Sequence, residues 1–224
     1  MKTTSLIAIG FVALAFGGAS ARAARSPDSG AEVALRLGVA LPFGEAASGS
    51  NLDSAVSNTV PLIVEGGYRL DSNLFFGARF QYAFANFKKP NGLCVGNASC
   101  GGSDVALGLE ALYRFTPANT FAPWLGLGAG YEWLNENISP GNPNANASTS
   151  GSIKGFQGLV QLGGDVRVTD KLVLGPFIEA AFGRYESAST STTIGNTTTD
   201  TSADITNTAW HTWLTIGIRG AFGF

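Results

Sequence analysis

The sequence predicts an all-β protein: an eight-stranded antiparallel up-and-down transmembrane β-barrel. Three observations carry this expectation. Eight runs alternate apolar with small or polar residues at a period of two, the ionisable residues of those runs share one face, and the connections alternate long and short. A bilayer-spanning β-strand needs about 9–11 residues tilted at ~45°, apolar on its outer side only.

The runs follow in order. The first, Ala31 to Phe43, sets Val33, Leu35, Leu37, Val39, Leu41 and Phe43 against Ala34, Arg36, Gly38, Ala40 and Pro42. Such strict alternation is a strong strand signal. The polar stretch Glu45 to Ser57 leads to the second run, Val60 to Leu70, with Glu65 and Arg69 in its inner phase. Asp71-Ser72-Asn73 is turn chemistry, and the third run, Leu74 to Ala85, carries Arg79 opposite Phe76, Phe80 and Phe84. A longer connection holding Cys94 and Cys100 precedes the fourth run, Asp104 to Phe115, with Glu110 and Arg114 inward. After the turn Thr116 to Asn119, the fifth run, Phe121 to Trp133, puts Trp124, the glycines 126, 128 and 130, and Glu132 inside. The stretch Leu134 to Lys154 reads as a long loop before the sixth run, Phe156 to Val168, with Asp165 and Arg167 inward. The turn at Thr169-Asp170-Lys171 opens the seventh run, with Glu179 inward and Pro176 well inside it. The Thr/Ser-rich tract Glu186 to Thr208 reads as the last long loop. The eighth run, Ala209 to Phe224, carries His211, Trp213 and Arg219 inward and Trp210, Phe222 and Phe224 outward.

Charge decides which face meets lipid. An Arg or Lys at the bilayer midplane costs ~2–4 kcal/mol, so Arg36, Glu65, Arg79, Glu110, Asp165, Glu179 and Arg219 must look into the lumen. They are expected to form a salt-bridged girdle filling it, since eight strands enclose a space just wide enough for side chains. The inward glycines 126, 128 and 130 keep a continuous aqueous pore open as an alternative. Arg184 is the exception in the apolar phase, near the loop end, where it would reach headgroup phosphates. Outward aromatics cluster near both ends of the runs, such as Tyr68, Tyr113 and Phe121 at one and Phe84, Trp133 and Trp210 at the other, and suit interfacial girdles. A soluble barrel such as a lipocalin would sort its faces the other way. Proline has no edge strand to occupy in a closed barrel, so Pro176 predicts a bulge or a missing hydrogen bond.

Composition agrees. Charged residues are 13% of the chain and glycines number 30, whereas soluble globular chains carry about 25% charged residues. The net charge of −2 offers no basic patch for nucleic acid. Lys2, the apolar run Ser5 to Phe16 and the Ala21-Arg-Ala23 site read as a cleaved secretory signal, residues 1–23. A short segment, 24–30, and a single barrel domain, 31–224, would follow. In an oxidising compartment Cys94 and Cys100 are expected to close a short disulfide loop; two sulfurs with no nearby His cannot fill a zinc site. No metal or cofactor site and no catalytic residue is expected. His211, the single histidine, reads as a rim packing residue, and the serines lie in no G-x-S-x-G motif.

The signal segment, the eight runs, the charged inner face and the terminal I-G-I-R-G-A-F-G-F resemble the small outer-membrane β-barrel proteins typified by the OmpA membrane domain, OmpX and OmpW. The resemblance implies a monomer in the bacterial outer membrane with both termini periplasmic, in contact with outer-membrane lipids and lipopolysaccharide. It implies that Phe222 and Phe224 form the signal read by the barrel-assembly machinery. It also implies a non-enzymatic structural or surface-interaction role through long loops, with a small passive channel or a lipid-modifying enzyme as alternatives.

Overall fold

The computed structural model describes residues 29–71, 73–88, 99–139 and 147–223. The signal segment, Cys94, the side chain of Cys100 and Phe224 lie outside the described residues, so the disulfide and the terminal aromatic do too. The elements are β1 (Gly30–Ala47), β2 (Ser50–Asn51), α1 (Leu52–Ala55), β3 (Val56–Arg69), β4 (Leu74–Phe87), β5 (Ser99–Arg114), β6 (Phe121–Ser139), β7 (Ala147–Arg167), β8 (Leu172–Ile194), β9 (Thr197–Asp204) and β10 (His211–Gly223).

Eight of these strands close into a ring. The order β10-β1-β3-β4-β5-β6-β7-β8 is antiparallel at every step, and β8 pairs back onto β10. The seam joins β1 to β10 through Val33↔Phe222, Arg36↔Arg219 and Gly38↔Gly217. A Cβ at Gly217 would collide with the carbonyl of Leu37 and with Phe177, so glycine here lets the seam and the lumen pack closely.

The alternation read from the sequence is the alternation of the wall. Leu37 is 57% exposed, Leu109 70% and Ile218 66%, while Arg36, Glu65 and Arg219 are fully buried. Soluble proteins do not cover themselves with an apolar belt of this extent. Tyr113 packs edge-to-face on Phe115, and Tyr82 on Phe84, in the outward aromatic sets near the two ends of the wall.

Pro176 interrupts the ladder without a bulge. It pairs in register with Ile218 on β10. On the other side the β7–β8 ladder jumps from Gly163↔Phe177 to Val166↔Leu174 at constant register, leaving the pairs between them unmade. Of the two expected outcomes, the missing hydrogen bond is the one found.

The long connections differ from their reading as loops. β6, β7 and β8 run well past the predicted runs, to Ser139, from Ala147 and to Ile194, and β9 folds back on β8 as a hairpin. Gly195, at φ +63°, turns that hairpin with Asn196; a glycine at the first of two turn residues suits the type II′ geometry of tight hairpins. Thr and Ser are good strand formers when they pair across strands. With water on both faces, nothing imposes an apolar period. The stretch after β1 also departs from a plain polar loop: α1 tucks Leu52, with Val56 behind it, into the upper lumen.

Candidate functional site

The lumen is the most highly organised part of the molecule. Its contents stack in layers from the end bearing the short turns to the end bearing the long connections.

The lowest layer is built around Glu32 on β1. Its carboxylate accepts from Arg219 Nη2 at 2.9 Å, from Arg114 Nη2 at 2.6 Å and from Arg69. Arg219, on β10, also donates to Glu65 at 3.1 Å and to Asp165 at 3.2 Å. Asp165 in turn accepts from the indole of Trp124 at 3.0 Å and from Arg114 at 3.4 Å. Arg167 stands at the rim of this layer and donates to the carbonyl of Pro117.

Arg36 centres the next layer. It pairs with Glu65, lies 3.6 Å from Glu110 and 3.5 Å from Glu179, and donates twice to Gln161 Oε1 at 3.1 Å. Arg79 grips Glu179 with both terminal nitrogens, at 3.0 and 3.1 Å. That bidentate fork is the strong form of an arginine–carboxylate contact. Gln161 donates onward to Glu110 at 3.0 Å. Trp124, Phe75, Leu112 and Phe177 form an apolar wedge among these charges, and Arg36 lies 5.2 Å over Trp124 and 5.1 Å over Phe177. Through the two layers Arg36, Arg69, Arg79, Arg114 and Arg219 face Glu32, Glu65, Glu110, Asp165 and Glu179, charge for charge. Truncating one member of such a set strands its partners in a medium that solvates them poorly.

A third layer lacks arginine. Glu132 accepts from Tyr185 Oη at 2.6 Å and Trp213 Nε1 at 2.8 Å, and its other oxygen lies 3.1 Å from His211 Nε2. His211 stacks flat on Tyr185, 4.1 Å between ring centres. It is buried rather than on the rim. The reason lies above it: Leu52, Val56, Leu134 and Trp213, backed by Phe87 and Ile153, roof the upper lumen with an apolar lid. Asp104 completes this level and accepts from Gln81 at 2.6 Å.

Among the described residues, the inward Gly126 and Gly128 sit against their neighbours and do not line open space. A Cβ at Gly126 would run into Leu112 and Gln161, and one at Gly128 into the carbonyl of Leu109. Their missing side chains make room for neighbours. The space at the turn end, between Arg69, Arg114 and Asp165, measures about 20 Å³, and the one beside Leu52 and Ile153 about 190 Å³.

Arg36, Glu65, Arg79, Glu110, Asp165, Glu179 and Arg219 therefore all meet in one connected cluster. Glu32 is the member that the sequence reading left out. It shares the phase of Ala34 and Arg36, and that phase was the available signal. Tyr185 was also missed, because it follows the predicted end of the seventh run. Phe222 points outward, paired with Val33 and Leu172. Outside the lumen Arg184 is exposed, donates to Thr208 Oγ1 and lies 5.6 Å over the Trp210 ring.

No family model and no curated protein matches the chain by sequence. Solved structures do match by shape. One is a major outer membrane protein of Thermus thermophilus, at TM-score 0.59 and 14% identity, covering 88% of this chain and 99% of that one. Another is Neisserial surface protein A, at TM-score 0.50 and 16% identity, covering 86% and 97%. The chain has the fold of small outer-membrane β-barrel proteins.

Proposed function

We propose that this chain is an integral outer-membrane β-barrel, with both termini periplasmic, that is closed to solutes and acts without catalysis through the surface it raises above the bilayer. The filled lumen carries this reading: its two charged layers, the aromatic wedge and the apolar lid occupy the space a permeation path would need. The apolar belt supports the location, since a charged residue on that face would carry the lipid penalty and none of the girdle charges is there. His211 is engaged by Glu132 and covered by the Tyr185 ring, so it is poorly placed to activate a nucleophile.

Planar-bilayer recording tests the closed lumen. The full chain is expected to give no stable conductance steps. Discrete steps that change on Glu110→Ala or Arg79→Ala would establish the passive channel instead. Cell fractionation tests the location: the chain is expected in the outer membrane, with a gel mobility that changes on boiling. Recovery as a soluble periplasmic species would overturn the barrel in the membrane.

A further inference from the structure

The sheet that rises above the ring ends in a free edge. Among the described residues β9 pairs with β8 alone, and every residue of β9 is exposed. Backbone groups along an antiparallel strand point alternately toward one neighbour and toward the other. Ile205, just past β9, donates its N–H to the Glu186 carbonyl at 2.8 Å, and the register runs on unbroken from Ser187↔Asp204 to Ile194↔Thr197. The odd-numbered residues therefore bond to β8. Thr198, Asp200, Ser202 and Asp204 hold their N–H and C=O groups toward the open side.

Exposed edges are normally blunted by lysine, proline or a bulge. β9 reads Thr-Thr-Thr-Asp-Thr-Ser-Ala-Asp, with none of these, and its ladder carries no register shift. Such an edge is a template for another strand. Its own side chains say which strand fits. A second β9 running antiparallel must set edge-facing residues against edge-facing residues. In the register centred on Thr201, Asp200 lies opposite Ser202 of the second copy and Asp204 opposite Thr198. Each carboxylate then meets a hydroxyl, and Thr198, Asp200, Ser202 and Asp204 are all used. Sliding by two residues either way sets Asp200 against Asp200 or against Asp204, and like charges directly opposite destabilise a pair.

We propose that β9 is a self-recognition edge, through which two copies of this chain join their raised sheets into one, deepening the surface role on which it rests. The contact is isologous, with the same strand on both sides. Its two-fold axis is perpendicular to the sheet, as an antiparallel pair of identical strands requires. β8 carries this sheet up out of the wall, so the axis lies across the barrel axis and inverts it. The two copies face each other from apposed membranes, and each remains a single barrel within its own.

The test places the full chain in phosphatidylcholine vesicles and follows their clustering by light scattering. Sedimentation velocity of the detergent-folded chain reads the pair itself. Wild-type vesicles are expected to cluster, and the detergent-folded chain to dimerise. Ser202→Pro removes an edge donor from each copy and leaves the bonds to β8. It is expected to raise the dimer Kd about thirtyfold, the scale of two backbone hydrogen bonds. Ser202→Lys should tighten the dimer by setting a lysine against each Asp200, and Ser202→Asp should weaken it. Unspecific edge aggregation would respond to the lysine in the opposite sense. Four results would overturn the inference: a folded wild type that stays monomeric, a Ser202→Pro variant that dimerises like the wild type, a Ser202→Lys variant that dimerises less, or dimers in detergent without clustering of vesicles. A monomeric wild type that binds an alternating Lys-Thr peptide, with the binding lost in Ser202→Pro, would give the edge to a foreign strand instead. Each leaves the barrel itself standing, which the mobility shift on boiling reads separately.

Discussion

Arg219→Met is expected to lower the unfolding free energy by about 3–5 kcal/mol, the cost of removing one partner from a buried charge set. Arg219 is fully buried and serves Glu32, Glu65 and Asp165 together. Methionine keeps most of the volume, so the loss reports charge and not a cavity. Urea unfolding of the refolded chain, followed by tryptophan fluorescence, measures it. Adding Glu65→Gln should recover part of the loss, because one stranded carboxylate is then neutral; contacting residues are not additive. A loss below about 1 kcal/mol, the scale of exposed ion pairs, would mean the network is hydrated and contributes little.

Trp124→Ala is expected to cost about 3–5 kcal/mol, as for other large aromatic residues removed from a packed interior. Three contributions combine. The ring fills the wedge with Phe75, Leu112 and Phe177, its indole satisfies Asp165 at 3.0 Å, and its faces meet Arg36 at 5.2 Å and Arg219 at 5.5 Å. Trp124→Phe separates them, since it keeps an aromatic ring but loses the donor, and should cost about 1–3 kcal/mol for the unsatisfied acceptor. The temperature at which the folded gel band disappears ranks the variants. Equal loss in both would assign the effect to the Asp165 bond and not to packing.

The barrel was legible because two independent signals coincide in each run. Leu35 and Leu37 mark one phase, and Arg36 marks the other by the penalty it would meet in lipid. Glu32 escaped because only Val33 onward displays the pattern, and one residue at the edge of a run carries no period of its own. Tyr185 escaped because it lies past the end of the predicted seventh run, although it keeps the inward phase of Glu179, Ala181 and Gly183. The extensions of β6 to β9 were hidden by composition, since Ser, Thr, Asn and Gly serve exposed strands and loops alike. His211 was placed on the inner face but read at the rim, because the lid depends on Leu52 and Val56 arriving from a stretch with no apolar period. Which carboxylate meets which arginine is not visible in the sequence either. It depends on heights fixed by the stagger of all the strands around the ring.

Glu32 and Arg219 are 187 residues apart, on the two strands that meet at the seam. Their bond therefore reports on time as well as place. It can form only when the chain's first and last ring strands come together, and until then Glu32 and Glu65, on β1 and β3, lack the arginine that β10 carries. A partly curled sheet is thus penalised at its open edge, and the closing step is rewarded all at once. The charged interior acts as a latch, making the assembly of the ring cooperative and its slow, non-local contact the one that commits it.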